Sequence, residues 1–346
     1  MTLGTISVVV VNRNRRELLT RTLRSLMDQT VAAEIIVVDN GSTDGSLAVF
    51  AGFPMAGVVY NPRNLGFCSA ANQGIRAARG EFIALLNNDA EADRQWLASL
   101  ADCFVHSDVG MAASKIELAA DTGIIDKAGH LLYPDGQNRG RGTGERDCGQ
   151  YDREEEVLWP DGCAAMYRRS MLDDIGGFDE DLFAYGDDAE LGLRARIAGW
   201  RCIYTPRAVV RHHRAASPTV RRVALIERNR VLLALRHFPL RLLWRNPYYY
   251  LLRLASGLAA AARGEGETAL FPGALGKVRI ALGLLLGDFE ALIMTPRTLA
   301  KRWGGGAPKR LRPNEVARLI LEHRISLAAL STRVAATAGK GRAAAG

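Results

Sequence analysis

Four short runs of β-branched and aliphatic residues recur through the first ninety positions of the chain: 5–12 (TISVVVVN), 34–40 (EIIVVDN), 57–61 (GVVYN) and 81–89 (EFIALLNND). They are nearly continuous in apolar residues, where a half-exposed strand would alternate; such runs suit strands covered on both faces. Between the first two, Leu19, Leu23, Leu26 and Met27 share one helical face. Further helical stretches fall near 46–50 and 69–78. Strand and helix in this order predict an α/β fold with a mainly parallel sheet and right-handed crossovers.

Ligands of such sheets bind beyond the carboxyl ends of the strands. Here every exit is polar: Asn12, then Asp39 to Ser42, then Asn61 to Asn64, then Asn87-Asn88-Asp89. Asn, Asp, Gly and Ser are also the ordinary turn formers, but four polar exits along one edge favour a site. No G-x-G-x-x-G follows the first strand and no G-x-x-x-x-G-K-[ST] occurs, which disfavours a nicotinamide dehydrogenase and a P-loop ATPase.

Residues 119–156 are rich in Gly, Asp and Arg and read as loop. A strand is expected in 157–169 (VLWPDGCAAMYRR), followed by acids concentrated at Asp179, Glu180, Asp181, Asp187, Asp188 and Glu190. Asp187 and Asp188 open a helix. Carboxylates are favourable at a helix N-terminus, and Gly186 or Asp187 suits the cap, so the pair has a purely structural explanation as well as a chemical one. From 218 onward the pattern is helical. None of these helices has the roughly 18–20 uninterrupted apolar residues that span a bilayer, because Arg253, Arg263, Arg279 and Asp288 break them up.

Residues 218–346 hold 22 Lys and Arg against 7 Asp and Glu, which leaves 23 and 30 for residues 1–217. A basic tail on an acidic body points to an anionic partner, a phospholipid surface or a nucleic acid. Five cysteines without a C-x-x-C pair argue against a disulfide framework or zinc site and suit a reducing cytoplasm, and the N-terminus has no signal-peptide pattern.

The segments VVVVNRNR, IIVVDNGSTDGS, NPRNLGFCSAANQGI, ALLNNDAE, GGFDEDLFAYGDDAELGLRARIAGW and VVRHHRAAS occur in an order that resembles the family 2 glycosyltransferases. These are inverting enzymes of the GT-A fold, and the likeness is to their bacterial rhamnosyltransferase-like branch. It covers residues 5–217. It implies a GT-A catalytic domain over 1–217, with a nucleotide-sugar half at 1–118 and an acceptor half at 119–217. A basic helical region at 218–335 and a disordered tail at 336–346 would follow.

The resemblance also assigns residues. Asp39 takes the position that hydrogen-bonds the nucleobase, with Asn12 and Asn64 shaping the pocket. Asn72 belongs either to that pocket or to a helix face. Asn87 faces the ribose, and Asp89 ligates a divalent metal, Mg²⁺ or Mn²⁺, on the diphosphate. His212 falls where the family often supplies a further ligand, with His213 as the alternative register. Asp188 takes the position of the general base, beside Asp187 in place of the usual Glu. Asp161 and Gly162 lie on the acceptor side with Trp159, which either stacks on a sugar or belongs to the core.

The function expected from this likeness is transfer of a sugar, L-rhamnose being suggested by the branch, from a nucleoside-diphosphate sugar to a glycan or polyprenyl-linked acceptor of the cell envelope or an exopolysaccharide. The enzyme would sit at the inner face of the plasma membrane through its basic tail; a helical subdomain that packs on the sheet or forms a homodimer is the alternative. Two other functions compete. A nucleotidyltransferase has a similar sheet but opens with a Gly-rich phosphate loop that is absent here. A polyanion-binding scaffold would use the basic tail, yet aromatics are only 7% and no nucleic-acid-binding motif occurs, so no nucleic-acid partner is expected.

Overall fold

A computed structural model describes residues 4–214, 219–263, 273–304 and 306–331; the tail expected over 336–346 lies outside them. The predicted strands form as β1 (Ile6–Asn12), β2 (Glu34–Asn40), β3 (Ala56–Asn61) and β4 (Phe82–Leu86), with β5 (Ala90–Ala92) just after. Strands β6 (Val109–Leu118), β7 (Asp121–Lys127), β8 (His130–Leu132), β9 (Asn138–Gly140), β10 (Glu155–Val157), β11 (Ala164–Arg168) and β12 (Arg201–His212) complete the β structure among the described residues.

The central sheet runs β10-β12-β6-β11-β4-β1-β2-β3. Its β4-β1-β2-β3 half is parallel, as are β6 and β12, while β11 enters antiparallel between β4 and β6. Both faces are covered, as the continuous apolar runs require. Val8 and Val10 pack toward α1 (Arg16–Met27) and α3 (Trp96–Ala101). Val9, between them, packs into the opposite cluster with α2 (Phe67–Ala77), α4 (Arg169–Ile175) and α5 (Asp187–Ile197). The register pairs Asn12 with Asp39 and Asn40 with Asn61, so the polar strand ends stand level along one edge.

Three expectations change. Residues 46–52 are a 3₁₀ helix. The single strand expected over 157–169 is two, β10 and β11, separated by a turn through Asp161 and Gly162. Residues 119–156 are built rather than open: β7 pairs with β6, β8 with β9, and β10 with β12. Lys115 holds the segment inward through Asp147 and Asp152.

The C-terminal helices are α6 (Val220–His237), α7 (Leu240–Ala262), α8 (Gly273–Trp303), α9 (Pro313–Glu322) and α10 (Leu327–Ser331). Helix α8 lays Gly276, Gly283, Gly287 and Ala291 inward, and Gly283 and Gly287 sit against Val223 and Ala224 of α6. Charge fixes the helices to the body. Glu227, buried on α6, pairs with Arg230 at 2.6 Å and with Arg253 of α7 at 2.9 Å, and Arg253 reaches Asp135 at 2.5 Å. Among the described residues no helix is long and apolar enough to cross a membrane.

Candidate active site

Asn12 joins three strand ends. Its Nδ2 donates to Asp39 Oδ2 at 3.1 Å and to Ser42 Oγ at 3.2 Å, and its Oδ1 accepts from Asn88 Nδ2 at 2.8 Å. Asp39 also accepts the Ser42 N–H at 3.0 Å. The turn depends on Gly41, whose φ is +76° and whose absent Cβ would lie 2.7 Å from the Arg63 backbone. That close approach brings in the 62–66 loop, where Asn64 Oδ1 accepts from Asn40 Nδ2 and from the Gly66 N–H, both at 3.0 Å. Asn64 therefore braces the wall of this corner. Asn72 is committed elsewhere: it exchanges hydrogen bonds with the Phe178 backbone at 2.8 and 2.9 Å and donates to Glu180 at 3.0 Å. It ties α2 to the 178–180 turn.

Asn87, Asn88 and Asp89 are half-buried. The Asn87 N–H donates to the Cys163 carbonyl at 2.8 Å, which joins this turn to the one before β11. Asp89 Oδ1 lies 3.3 Å from His212 Nε2, and His212 Nδ1 lies 2.7 Å from Asp126 Oδ2. His213 instead meets Glu91 at 2.7 Å. Burial opposes the charge of Asp126, but Lys127, His212 and Arg214 outweigh it and hold the carboxyl well below its ordinary range. An ionised Asp126 can only accept, so it holds a proton on Nδ1. Burial opposes a charge on this ring, but Cys163, Asp126 and Asp89 outweigh it and hold the imidazole well above its ordinary range, so the Nε2 proton faces the Asp89 carboxylate in the place a divalent metal would take. A carboxylate with an imidazole oriented by a second carboxylate is a donor set that fits a divalent metal.

Of the acidic pair, Asp187 is buried and Asp188 half-buried. Gly186 leads into α5 in the left-handed region, with no side-chain cap. Asp188 Oδ1 accepts from the Ala189 N–H at 2.8 Å and Oδ2 from the Gly162 N–H at 3.4 Å. Burial and then the neighbouring Asp188 charge push Asp187 up to about 8. Burial also raises Asp188, although His130 and Lys127 offset it in part. Asp161 goes the other way: burial opposes ionisation, yet Lys127 and His130 hold it well below the ordinary carboxylate range. The ligating atoms of His130, Asp161 and Asp188 lie within 4.8 Å of one another. Lys127 Nζ is already 2.5 Å from Asp161, so the protein supplies a cation to this group itself.

Trp159 is completely buried, stacks on His130 at 6.0 Å between centroids and packs on Gly192. Of the two readings of Trp159, the core one describes its position, with no ring face open to a sugar.

Sequence reasoning missed Asp126, Lys127 and His130 in a stretch read as loop. It also missed Arg228 and Asn229 on α6. Residues 182–186, which deliver the acidic pair, contain Phe183 and Tyr185 at φ +65° and +67°. Asn229 Nδ2 gathers the carbonyls of Leu182, Ala184 and Tyr185 at 3.0, 2.9 and 2.6 Å, and Arg228 takes Leu182 at 2.7 Å. Asn229→Ala should therefore cost about 1–3 kcal/mol through buried carbonyls left unpaired, and turnover should fall while donor affinity holds. A urea melt with steady-state kinetics checks both.

The chain matches the family description Glycosyl transferase family 2 over residues 7–176, and Glycosyl transferase family group 2 over residues 145–336. It is 29% identical over 282 residues to the N-acetylglucosaminyl-diphospho-decaprenol L-rhamnosyltransferase of Mycobacterium tuberculosis, covering 72% of this chain and 89% of that protein. It is 27% identical to an uncharacterised protein of Sinorhizobium fredii over 61% of its own length, but spans only 25% of that longer protein. Among solved structures, a mannosyltransferase from Pyrobaculum calidifontis in complex with GDP-Man and Mn²⁺ superposes with a TM-score of 0.51 at 19% identity, over 84% of this chain and 87% of that one. The shared fold is GT-A.

Proposed function

The chain belongs to family 2 of the glycosyltransferases, and from that premise we propose that it moves a sugar, with inversion, from a nucleoside-diphosphate sugar to a hydroxyl of a glycan or polyprenyl-linked acceptor in cell-envelope or exopolysaccharide assembly. One observation carries the reading. Asp187 and Asp188 open α5 against the 161–163 turn, which donates the Gly162 N–H to Asp188 and takes the Asn87 N–H at the Cys163 carbonyl, two residues before the Asp89 that faces His212. Asp188 takes the acceptor proton as its oxygen attacks the anomeric carbon, and Asp187, protonated at neutral pH, donates toward the acceptor. Asp39 and Asn12 meet the nucleobase and Asn87 the ribose. Asp89 and His212 would hold Mg²⁺ or Mn²⁺, which supplies counter-charge to the diphosphate leaving group. Asp161 and Gly162 line the acceptor side.

L-Rhamnose is the donor sugar we favour, on the likeness to the mycobacterial rhamnosyltransferase. The test is a panel of nucleoside-diphosphate sugars, dTDP-L-rhamnose among them, with nucleoside-diphosphate release followed with and without Mn²⁺. Release from none of the panel in either condition overturns the reading.

Membrane contact belongs to the same proposal. Helix α7 turns Trp244, Tyr248, Leu251 and Leu258 outward, and α8 turns Val278, Leu282, Leu285, Phe289 and Leu292 outward. Each set follows helical spacing, opposite the face that packs inward. Arg245, Lys277 and Arg279 beside these stripes have no ion-pair partner among the described residues. Apolar stripes edged by unpaired cations suit an anionic phospholipid surface, where each Lys or Arg contributes about 1 kcal/mol. Such docking would place the enzyme on the cytoplasmic face, where a polyprenyl-linked acceptor is presented.

The protein is expected to sediment with phosphatidylglycerol vesicles at low salt, less so as salt rises, and not with phosphatidylcholine alone. The double variant Leu251→Glu with Leu285→Glu should lose vesicle binding and keep donor hydrolysis. Wild-type protein left in the supernatant at low salt overturns the docking. A dimer in gel filtration that the double variant converts to monomer would also overturn it, by making this face a contact between copies.

A further inference from the structure

We propose that Lys127 and His130 are positioning residues for Asp188, acting through Asp161; the inference rests on Asp188 being the base proposed above. The two side chains flank the tight turn between β7 and β8, where Gly129 has φ +87°. His130 is 5% exposed, and its Nδ1 is buried with no hydrogen-bond partner. All of its polar contact is therefore through Nε2, which lies 2.8 Å from Asp161 Oδ2 and 3.5 Å from Asp188 Oδ2. A bare lone pair there would face two carboxylate oxygens, so Nε2 carries the proton and shares it between them. The ring plane is set by Trp159, which stacks on it at an interplanar angle of 23°.

Asp161 is fixed in turn. Lys127 Nζ lies 2.5 Å from its Oδ2, and the Cys163 N–H reaches its Oδ1 at 2.9 Å. The chain of contacts thus runs from an ammonium through a carboxylate and an imidazole N–H to Asp188 Oδ2. The other anchor of that oxygen is the long 3.4 Å contact from the Gly162 N–H. Without His130, Oδ2 has only that weak hold.

Asp188 is faced by Asp187 on its own helix, Asp161 from the turn before β11, Lys127 from β7, His130 from β8 and Tyr167 from β11. Two of these groups are further carboxyls, so Lys127 and His130 supply the compensation that lets Asp188 ionise among them. Removing either raises the pH at which Asp188 gives up its proton. The acid limb of kcat/KM, which needs Asp188 ionised, then moves to higher pH.

The test measures kcat, donor KM, the pH of the acid limb and thermal unfolding in four variants. His130→Phe keeps a ring against Trp159 and removes the N–H, Lys127→Met removes the ammonium, the third combines them, and His130→Gln restores an N–H. The first two are expected to lower kcat about 10- to 100-fold, less than loss of the base itself at ~10²–10⁴-fold. Donor KM should stay within about twofold, and the acid limb should move up. The combined variant should be little worse than the poorer single one, because both act along one chain. His130→Gln should recover much of the rate.

An acid limb that stays put while stability falls overturns the proposal, and so do single effects that simply add. If His130→Phe fails to fold, Lys127→Met and His130→Gln carry the same readings. Wild-type turnover in Asp188→Asn would instead remove the base reading, whereas a dead Asp188→Asn with an unmoved limb in His130→Phe removes only this inference.

Discussion

Asp188→Asn is expected to lower turnover by about two to four orders of magnitude, or roughly 3–5 kcal/mol in the barrier, with donor affinity nearly unchanged. The substitution is close to isosteric. The Ala189 N–H, at 2.8 Å from Oδ1, still finds the amide oxygen, and the amide NH2 forfeits only the long 3.4 Å contact of the Gly162 N–H with Oδ2, so the helix start keeps its shape while the proton acceptor is lost. The pair also makes a pH statement. Asp187, pushed up to about 8, is protonated at neutral pH, which leaves one negative charge on the pair. A carboxyl whose folded value is raised lends stability that is full below its ordinary value near 3.8 and is gone once the pH passes about 8. Melting temperature should therefore decline as pH rises toward 8, and Asp187→Asn should flatten that decline. Single-turnover kinetics and melts across pH 6–9 measure both effects. Wild-type-like turnover in Asp188→Asn would remove the residue from the chemistry.

Much of the parallel half of the sheet was legible because its signals are local. A run such as VVVV can satisfy its composition only by being covered on both faces, and once the strands are parallel their ends must stand level. Asn12 and Asp39 therefore follow from the pattern alone. Asp187 and Asp188 were legible for the same reason, since adjacent acids at the start of a helix show in one dimension. The surroundings of the acidic pair were not legible. Residues 119–156 contain the seven-residue β7, whose sequence DTGIIDK shows no apolar alternation, three strands of only three residues, too short to show a period, and Gly-rich connections that look like open loop. Lys127 and His130 read as solvated polar residues because their burial depends on Asp161, about thirty positions later. Glu227 and Arg230 are buried on α6 against Asp135 and Arg253, which no local pattern announces. Charges that are buried in pairs leave no apolar pattern in sequence.

Asp89→Ala is expected to abolish the Mn²⁺-dependent part of nucleoside-diphosphate binding. Asn87-Asn88-Asp89 carries a single charge, so no neighbouring side chain in that turn can replace the lost carboxylate, and small divalent cations are held chiefly by charged oxygens together with the substrate's phosphates. His212 alone, even oriented by Asp126, offers one neutral nitrogen. His212→Ala should weaken Mn²⁺ binding more mildly, and His213→Ala should leave it unchanged, because His213 meets Glu91 rather than Asp89. Calorimetry with Mn²⁺ and nucleoside diphosphate, together and separately, reads these outcomes without any need for turnover. Binding that survives Asp89→Ala would place the metal elsewhere. Equal losses in His212→Ala and His213→Ala would mean the pair acts through the β12 end as a whole rather than through the one imidazole turned to Asp89.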